Sequence, residues 1–96
     1  MLLKDYIPDI KKRYSKIFFS GIAFDSSKVK KNDIFFAIKG NKIDGNRFIF
    51  DAIKRGSKII VTEKKFNKSI DGILFIHSKN IRKLLAEVSF KINKKI

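Results

Sequence analysis

Four short apolar runs, separated by polar turns, organise this chain. Residues 18–24 read as a first strand, interrupted by Gly21. Residues 34–38, Ile-Phe-Phe-Ala-Ile, are apolar throughout and lie between Asn32-Asp33 and Lys39-Gly40. Such a run predicts a strand covered on both faces. Residues 58–62, around Ile59-Ile60-Val61, predict a third strand, and residues 73–76 a fourth. Residues 46–55 predict a helix, because Phe48, Ile49, Ala52 and Ile53 share one side. Lys54 and Arg55 suit the negative end of its dipole, and Gly56 supplies a stop. A final helix follows from the spacing of Ile81, Leu84, Leu85, Val88 and Ile92, with Ser78 or Asn80 as its cap. Residues 2–12 predict a short amphipathic helix on Leu2, Leu3, Tyr6 and Ile10, cut short by Pro8. Residues 63–72 are polar and read as a surface loop.

The order strand, strand, helix, strand, strand, helix predicts an α/β fold. The expectation is a single small layered domain, with a mixed sheet of about four to five strands and flanking helices. Ninety-six residues suit one domain. No apolar run approaches the ~20 residues that span a bilayer, so no membrane partner is expected. Met1-Leu2-Leu3-Lys4-Asp5 does not read as a leader, because charge arrives before any apolar segment. Cysteine is absent, which excludes disulfides and thiolate chemistry. His77 is the one histidine and builds no metal site by itself. These features point to the cytoplasm.

The net charge of +14 raises the question of nucleic acid. Only four of the 23 cationic residues are arginine, and the lysines spread from Lys4 to Lys95. Abundant Lys, Ile, Asn and Phe together match the bias of an AT-rich coding sequence. Most phenylalanines fall in core-like runs rather than among the lysines. A dispersed lysine surface is usually a solvated one, so a basic nucleic-acid-binding module is kept only as an alternative. The same field attracts any polyanion, a nucleotide diphosphate included.

Two missing motifs narrow the chemistry. There is no G-x-x-x-x-G-K-[ST] for ATP and no G-x-G-x-x-G for a dinucleotide. No catalytic set and no metal-ligand set is predicted. A binding site is. Ligands in open α/β sheets lie at the carboxyl ends of strands. Phe24-Asp25-Ser26-Ser27 leaves one strand end there, and residues 40–45 leave the next. Serine offers a hydroxyl, loop amides can read a pyrimidine edge or hold an anion, and Phe24 can pack on a flat ring. Plainer roles compete. Asp25 suits an Asx turn, Asp44-Gly45 suits a helix start, Phe24 suits the core, His77 a satisfied strand end, and Lys39 and Lys42 solvent.

Residues 21–62 resemble the N-terminal domain of the Mur ligases, which add amino acids to the muramyl peptide of peptidoglycan. That family's pattern runs D-S-R-x-V, then G-D-[IL]-F-x-A-[IL]-x-G, then D-G-H-x-[FY]-I, then A-[IL]-x-x-G-A. Here the corresponding stretches begin at Asp25, Asn32, Asp44 and Ala52. Ser27 stands where the pattern has arginine, Asn32 where it has glycine, and Asn46 where it has histidine. The resemblance implies that residues 1–96 are the UDP-binding domain, with the ATP-binding central and C-terminal domains absent. It implies contacts to the UDP-N-acetylmuramoyl-peptide from Phe24, Ser26, Asn41, Lys42 and Ile43. ATP and Mg2+ are implied for the full-length enzyme only, and the remaining ligase domains are the implied protein partners. Within the family the chain is most similar to the ligases that add diaminopimelate or L-lysine to UDP-N-acetylmuramoyl-L-alanyl-D-glutamate. The sister ligase that adds D-alanyl-D-alanine is the alternative.

Overall fold

The computed structural model describes residues 1–7, 10–38, 48–63 and 70–94. Over these residues one sheet forms from β1 (Ile22–Ala23), β2 (Ile34–Ala37), β3 (Ile59–Thr62) and β4 (Leu74–His77). Their order across the sheet is the order along the chain. All three pairings are parallel, so the α/β layered class holds while the expected mixture of strand directions does not. The reason lies in the connections. A 3-10 turn at Ser26–Lys28 carries the chain back between β1 and β2, and the helix α1 (Ile49–Lys54) does so between β2 and β3. Antiparallel contact among the described residues shrinks to a single bridge between Leu2 and Phe18. A second helix, α2 (Ile81–Lys94), follows β4.

Alternation along each strand separates two apolar layers. Ile22, Ile34, Ile59 and Leu74 stand in register on one face. There they join Phe36 and Val61 and pack against Ile81, Leu84 and Val88 of α2 and Leu3, Tyr6, Ile7 and Phe19 of the N-terminal segment. On the other face Ala23, Phe35, Ala37 and Ile60 meet Val29 and the α1 residues Ile49 and Ala52. Covering on both sides is why β2 and β3 read as unbroken apolar runs. Three alanines on the α1 side leave room for a short helix to lie close.

The first strand is shorter than its apolar run. Gly21 packs so tightly that an added Cβ would sit 3.0 Å from Asp33 Oδ1. Phe18 turns out to bridge Leu2 and is exposed, while Phe19 turns inward and meets Tyr6 edge-on, ring centres 5.3 Å apart. The N-terminal helix expected over residues 2–12 is replaced by two 3-10 turns, Leu3–Asp5 and Lys12–Tyr14. Helix α1 stops as expected. The Gly56 N–H donates to the Ile53 carbonyl and the Ser57 N–H to the Ala52 carbonyl, both at 3.0 Å. These two bonds satisfy the last carbonyls of the helix and require a left-handed residue at Gly56, whose φ is +114°. Asn80 caps α2, its Oδ1 accepting from the Lys83 N–H at 3.1 Å.

The amino edge of the sheet is tightly bonded. The Asn32 N–H donates to the Gly56 carbonyl at 2.9 Å, tying α1 to the start of β2. The buried Ser57 hydroxyl donates to the Asp33 carbonyl at 2.7 Å, with the Ile59 carbonyl 3.1 Å away. Asp33 Oδ2 accepts from the Lys30 N–H at 2.9 Å. Asn32 adopts φ +68°, a left-handed value that asparagine tolerates better than most residues. It occupies the position where the resembling pattern has glycine, so the departure keeps the backbone geometry.

Candidate ligand-binding site

Because β1 and β2 are parallel neighbours, their carboxyl ends share one edge of the sheet. Phe24 is the first residue beyond β1, and alternation from Ile22 puts it on the α2 side. Its ring is 67% exposed. That overturns the plainer expectation that Phe24 belongs to the core. Strand β1 ends one residue earlier, and both apolar layers are filled by other side chains. Beside the ring lies an open groove of about 570 Å³, lined by Phe24, Ile38, Arg82, Leu85, Ala86 and Ser89. The ends of β1 and β2 and one face of α2 thus form a single hollow.

Asp25 does what its place in the sequence suggests. Its Oδ1 accepts from the Ser27 hydroxyl at 2.7 Å and from the Ser27 N–H at 3.0 Å, capping the 3-10 turn. The Ser27 hydroxyl, then the Ser27 amide, hold this carboxyl below the usual carboxylate range, and the positive charges of Lys28 and Arg55 pull more weakly in the same direction. Ser27 stands where the family pattern has arginine, and here a guanidinium reaches the turn from α1. Arg55 Nη1 donates to the Ser27 carbonyl at 3.4 Å while Nε faces Asp51 Oδ2 at 3.2 Å.

Ser26 opens the 3-10 turn, which packs against α1, and the residue is buried. Its hydroxyl makes no hydrogen bond among the described residues. Yet no fully buried side-chain nitrogen or oxygen there lacks a partner, so the Ser26 oxygen keeps an opening to solvent. Ser26 does not line the Phe24 groove. Asn41, Lys42 and Ile43 lie outside the described residues, as do Lys39, Gly40, Asp44 and Gly45. The structure therefore brings Phe24 and Ile38 together and sets Ser26 on the α1 side of the same bend. Sequence reasoning missed Arg82, because α2 reaches the ends of β1 and β2 only through tertiary packing. His77 ends β4 and is exposed. Among the described residues no three His, Cys, Asp or Glu side chains gather around a metal position.

The phenylalanines differ from expectation. Of the nine described, Phe18, Phe24, Phe48, Phe50 and Phe90 are exposed. They are scattered over loops and helices, since both sheet faces are covered.

An α/β domain with a parallel sheet and an open carboxyl edge is the class that the geometry defines. Residues 18–96 match the sequence profile of the Mur ligase family, catalytic domain. The chain belongs to the Mur ligase family, as its N-terminal domain. The UDP-N-acetylmuramoyl-L-alanyl-D-glutamate--2,6-diaminopimelate ligase of Clostridium tetani is 51% identical over 67 residues, which are 68% of this chain and 14% of that protein. The ligase of the same name from Wigglesworthia glossinidia brevipalpis is 41% identical over 97 residues, 94% of this chain and 19% of its own length. The chain thus spans less than one fifth of these relatives. Among solved structures, the MurF ligase from Thermotoga maritima in complex with ADP superposes with a TM-score of 0.59 at 29% identity. The match covers 71% of this chain and 15% of that one.

Proposed function

We propose that residues 1–96 bind the UDP end of UDP-N-acetylmuramoyl-L-alanyl-D-glutamate, within a cytoplasmic ligase that adds 2,6-diaminopimelate or L-lysine. The observation that carries this reading is the shared carboxyl edge of β1 and β2, where Phe24 stands uncovered beside an open groove. Phe24 offers its face to the uracil and Ser26 offers a hydroxyl. Asn41, Lys42 and Ile43 supply contacts from the next loop. The names of the relatives from Clostridium and Wigglesworthia support the substrate.

ATP and Mg2+ do not fit this chain. It has no phosphate-binding glycine loop, and its described residues gather no metal ligands. No step through either is assigned to it; that chemistry belongs to further domains of a longer ligase, as the ADP bound to the Thermotoga ligase suggests. The contribution of this domain is positioning, in which a remote handle orients the reacting carboxylate. The likeness to MurF favours a second reading, in which the whole ligase adds D-alanyl-D-alanine. For the nucleic-acid alternative the exposed phenylalanines count in favour, but they are scattered over loops and helices, and both sheet faces are covered and offer no basic stacking platform.

NMR titration of the labelled chain with UDP-N-acetylmuramoyl-L-alanyl-D-glutamate tests the proposal. Shifts centred on residues 24–26, 38 and 41–43 and on the groove face of α2 (82, 85, 86 and 89) are expected, saturating weakly because other contacts of the substrate are missing. A folded sample that shows no shifts refutes it. So do equal shifts with heparin that vanish on adding salt.

A further inference from the structure

Among the described residues, the groove beside Phe24 carries one charge. Of the six described residues that line it, Phe24, Ile38, Leu85, Ala86 and Ser89 are apolar or neutral, and the sixth is Arg82. Arg82 is exposed and has no ion pair among the described residues, where the one salt bridge is Arg55 with Asp51. Its neighbours on α2 show why. The nearest acidic residue along the helix is Glu87, five positions on and off the groove face, and no carboxylate lines the groove among the described residues. A guanidinium left unpaired at the rim of an apolar hollow, with an uncovered aromatic ring on the facing wall, suits a flat ring joined to a phosphate. The ring lies on Phe24 and the phosphate oxygens meet the planar fork of donors, which matches them two at a time.

We infer that Arg82 binds the diphosphate of the nucleotide whose base rests on Phe24. This rests on the uridine reading above and extends it. The ligand class is a nucleoside diphosphate, and α2 as well as the two strand-end loops becomes part of the site. Lysine at this position would keep the charge but not the paired geometry. Arg82 makes no hydrogen bond to the fold among the described residues, so its replacement leaves the packing of α2, through Ile81, Leu84 and Val88, untouched.

The test uses two ligands that differ only in phosphate, uridine and UDP, titrated into the chain and into its R82Q and R82K variants, with melting curves as the check on folding. For the wild-type chain UDP is expected to bind more tightly than uridine, and the Arg82 Nε–H resonance to move with UDP and stay in place with uridine. R82Q is expected to weaken UDP about tenfold, leave uridine unchanged, and flatten the salt dependence of UDP binding. R82K should fall between the two. If wild type binds both ligands and R82Q binds UDP as wild type does, the inference fails and the uridine reading stands. Equal loss of uridine and UDP in R82Q also overturns it, since that is the mark of a packing role. If wild type binds neither ligand, both readings fall together.

Discussion

The two edges of the sheet are built differently. At the amino edge the buried polar groups are committed, Ser57 to the Asp33 carbonyl and Asp33 to the Lys30 N–H, and the Asn32 N–H is bonded to the Gly56 carbonyl. At the carboxyl edge Phe24 is uncovered, the Ser26 hydroxyl has no hydrogen-bond partner among the described residues, and Arg82 faces an open groove. One edge spends its polar groups on holding the fold, and the other leaves them available. The difference separates residues whose loss unfolds the protein from residues whose loss costs only binding.

The sharpest way to break this contrast is at Gly56. An added Cβ would meet Lys31 Cα at 2.9 Å, and φ +114° is hostile to any L side chain. Gly56→Ala is expected to destabilise the chain by about 2–4 kcal/mol, read by urea denaturation, with a matching fall in melting temperature. A change below about 1 kcal/mol would mean that the amino edge is not the anchor. The opposite edge predicts the opposite result. Phe24→Ala removes a ring that is mostly exposed, so stability should hold while UDP affinity falls roughly fivefold, about 1 kcal/mol. Calorimetry and a melting curve on one sample separate the two. A fall in melting temperature without a loss of affinity would place Phe24 with the fold instead.

The smallest effect belongs to Asp25, which sits at the open edge yet is bonded within its own turn. Its carboxyl is held below the ordinary value by Ser27, so the folded pKa lies under the unfolded one. The stabilisation is therefore fully present above the ordinary carboxylate pKa and lost as pH falls through the depressed one. Melting curves taken from about pH 5 down to about pH 2 should show wild type losing slightly more stability than Asp25→Asn, which cannot titrate. Parallel curves would show that the turn does not depend on that charge.

Much of this architecture was legible along the chain, and what was not has identifiable causes. Strands β2 and β3 announce themselves because covering on both faces leaves no polar position in residues 34–37 and 59–61. Helix α2 shows through the spacing of Ile81, Leu84 and Val88, and the end of α1 through Gly56. Strand direction did not show, since pairing sense is set by how the connections cross, and no local residue pattern encodes that. Nor did the short β1, because Phe18 and Phe19 look alike in sequence while one faces water and the other the core. At the site, the turn role of Asp25 followed from its spacing to Ser27. The openness of Phe24 did not, because exposure of a large ring depends on which elements come to cover it. Arg82 was invisible for the same reason: it stands 58 positions after Phe24 and 44 after Ile38.

Spatial order that copies chain order also bears on how the molecule assembles. Each strand needs only its immediate predecessor as a template, so the sheet can be laid down in the sequence of synthesis, without waiting for a distant partner. The last helix closes back on the beginning, where Lys91 Nζ donates to the Tyr6 carbonyl at 3.3 Å. That contact is the latch of the domain, and until it closes, the face bearing Phe36 and Val61 has only Leu3, Tyr6, Ile7 and Phe19 of the N-terminal segment to cover it, and the rest is open to whatever binds nascent chains.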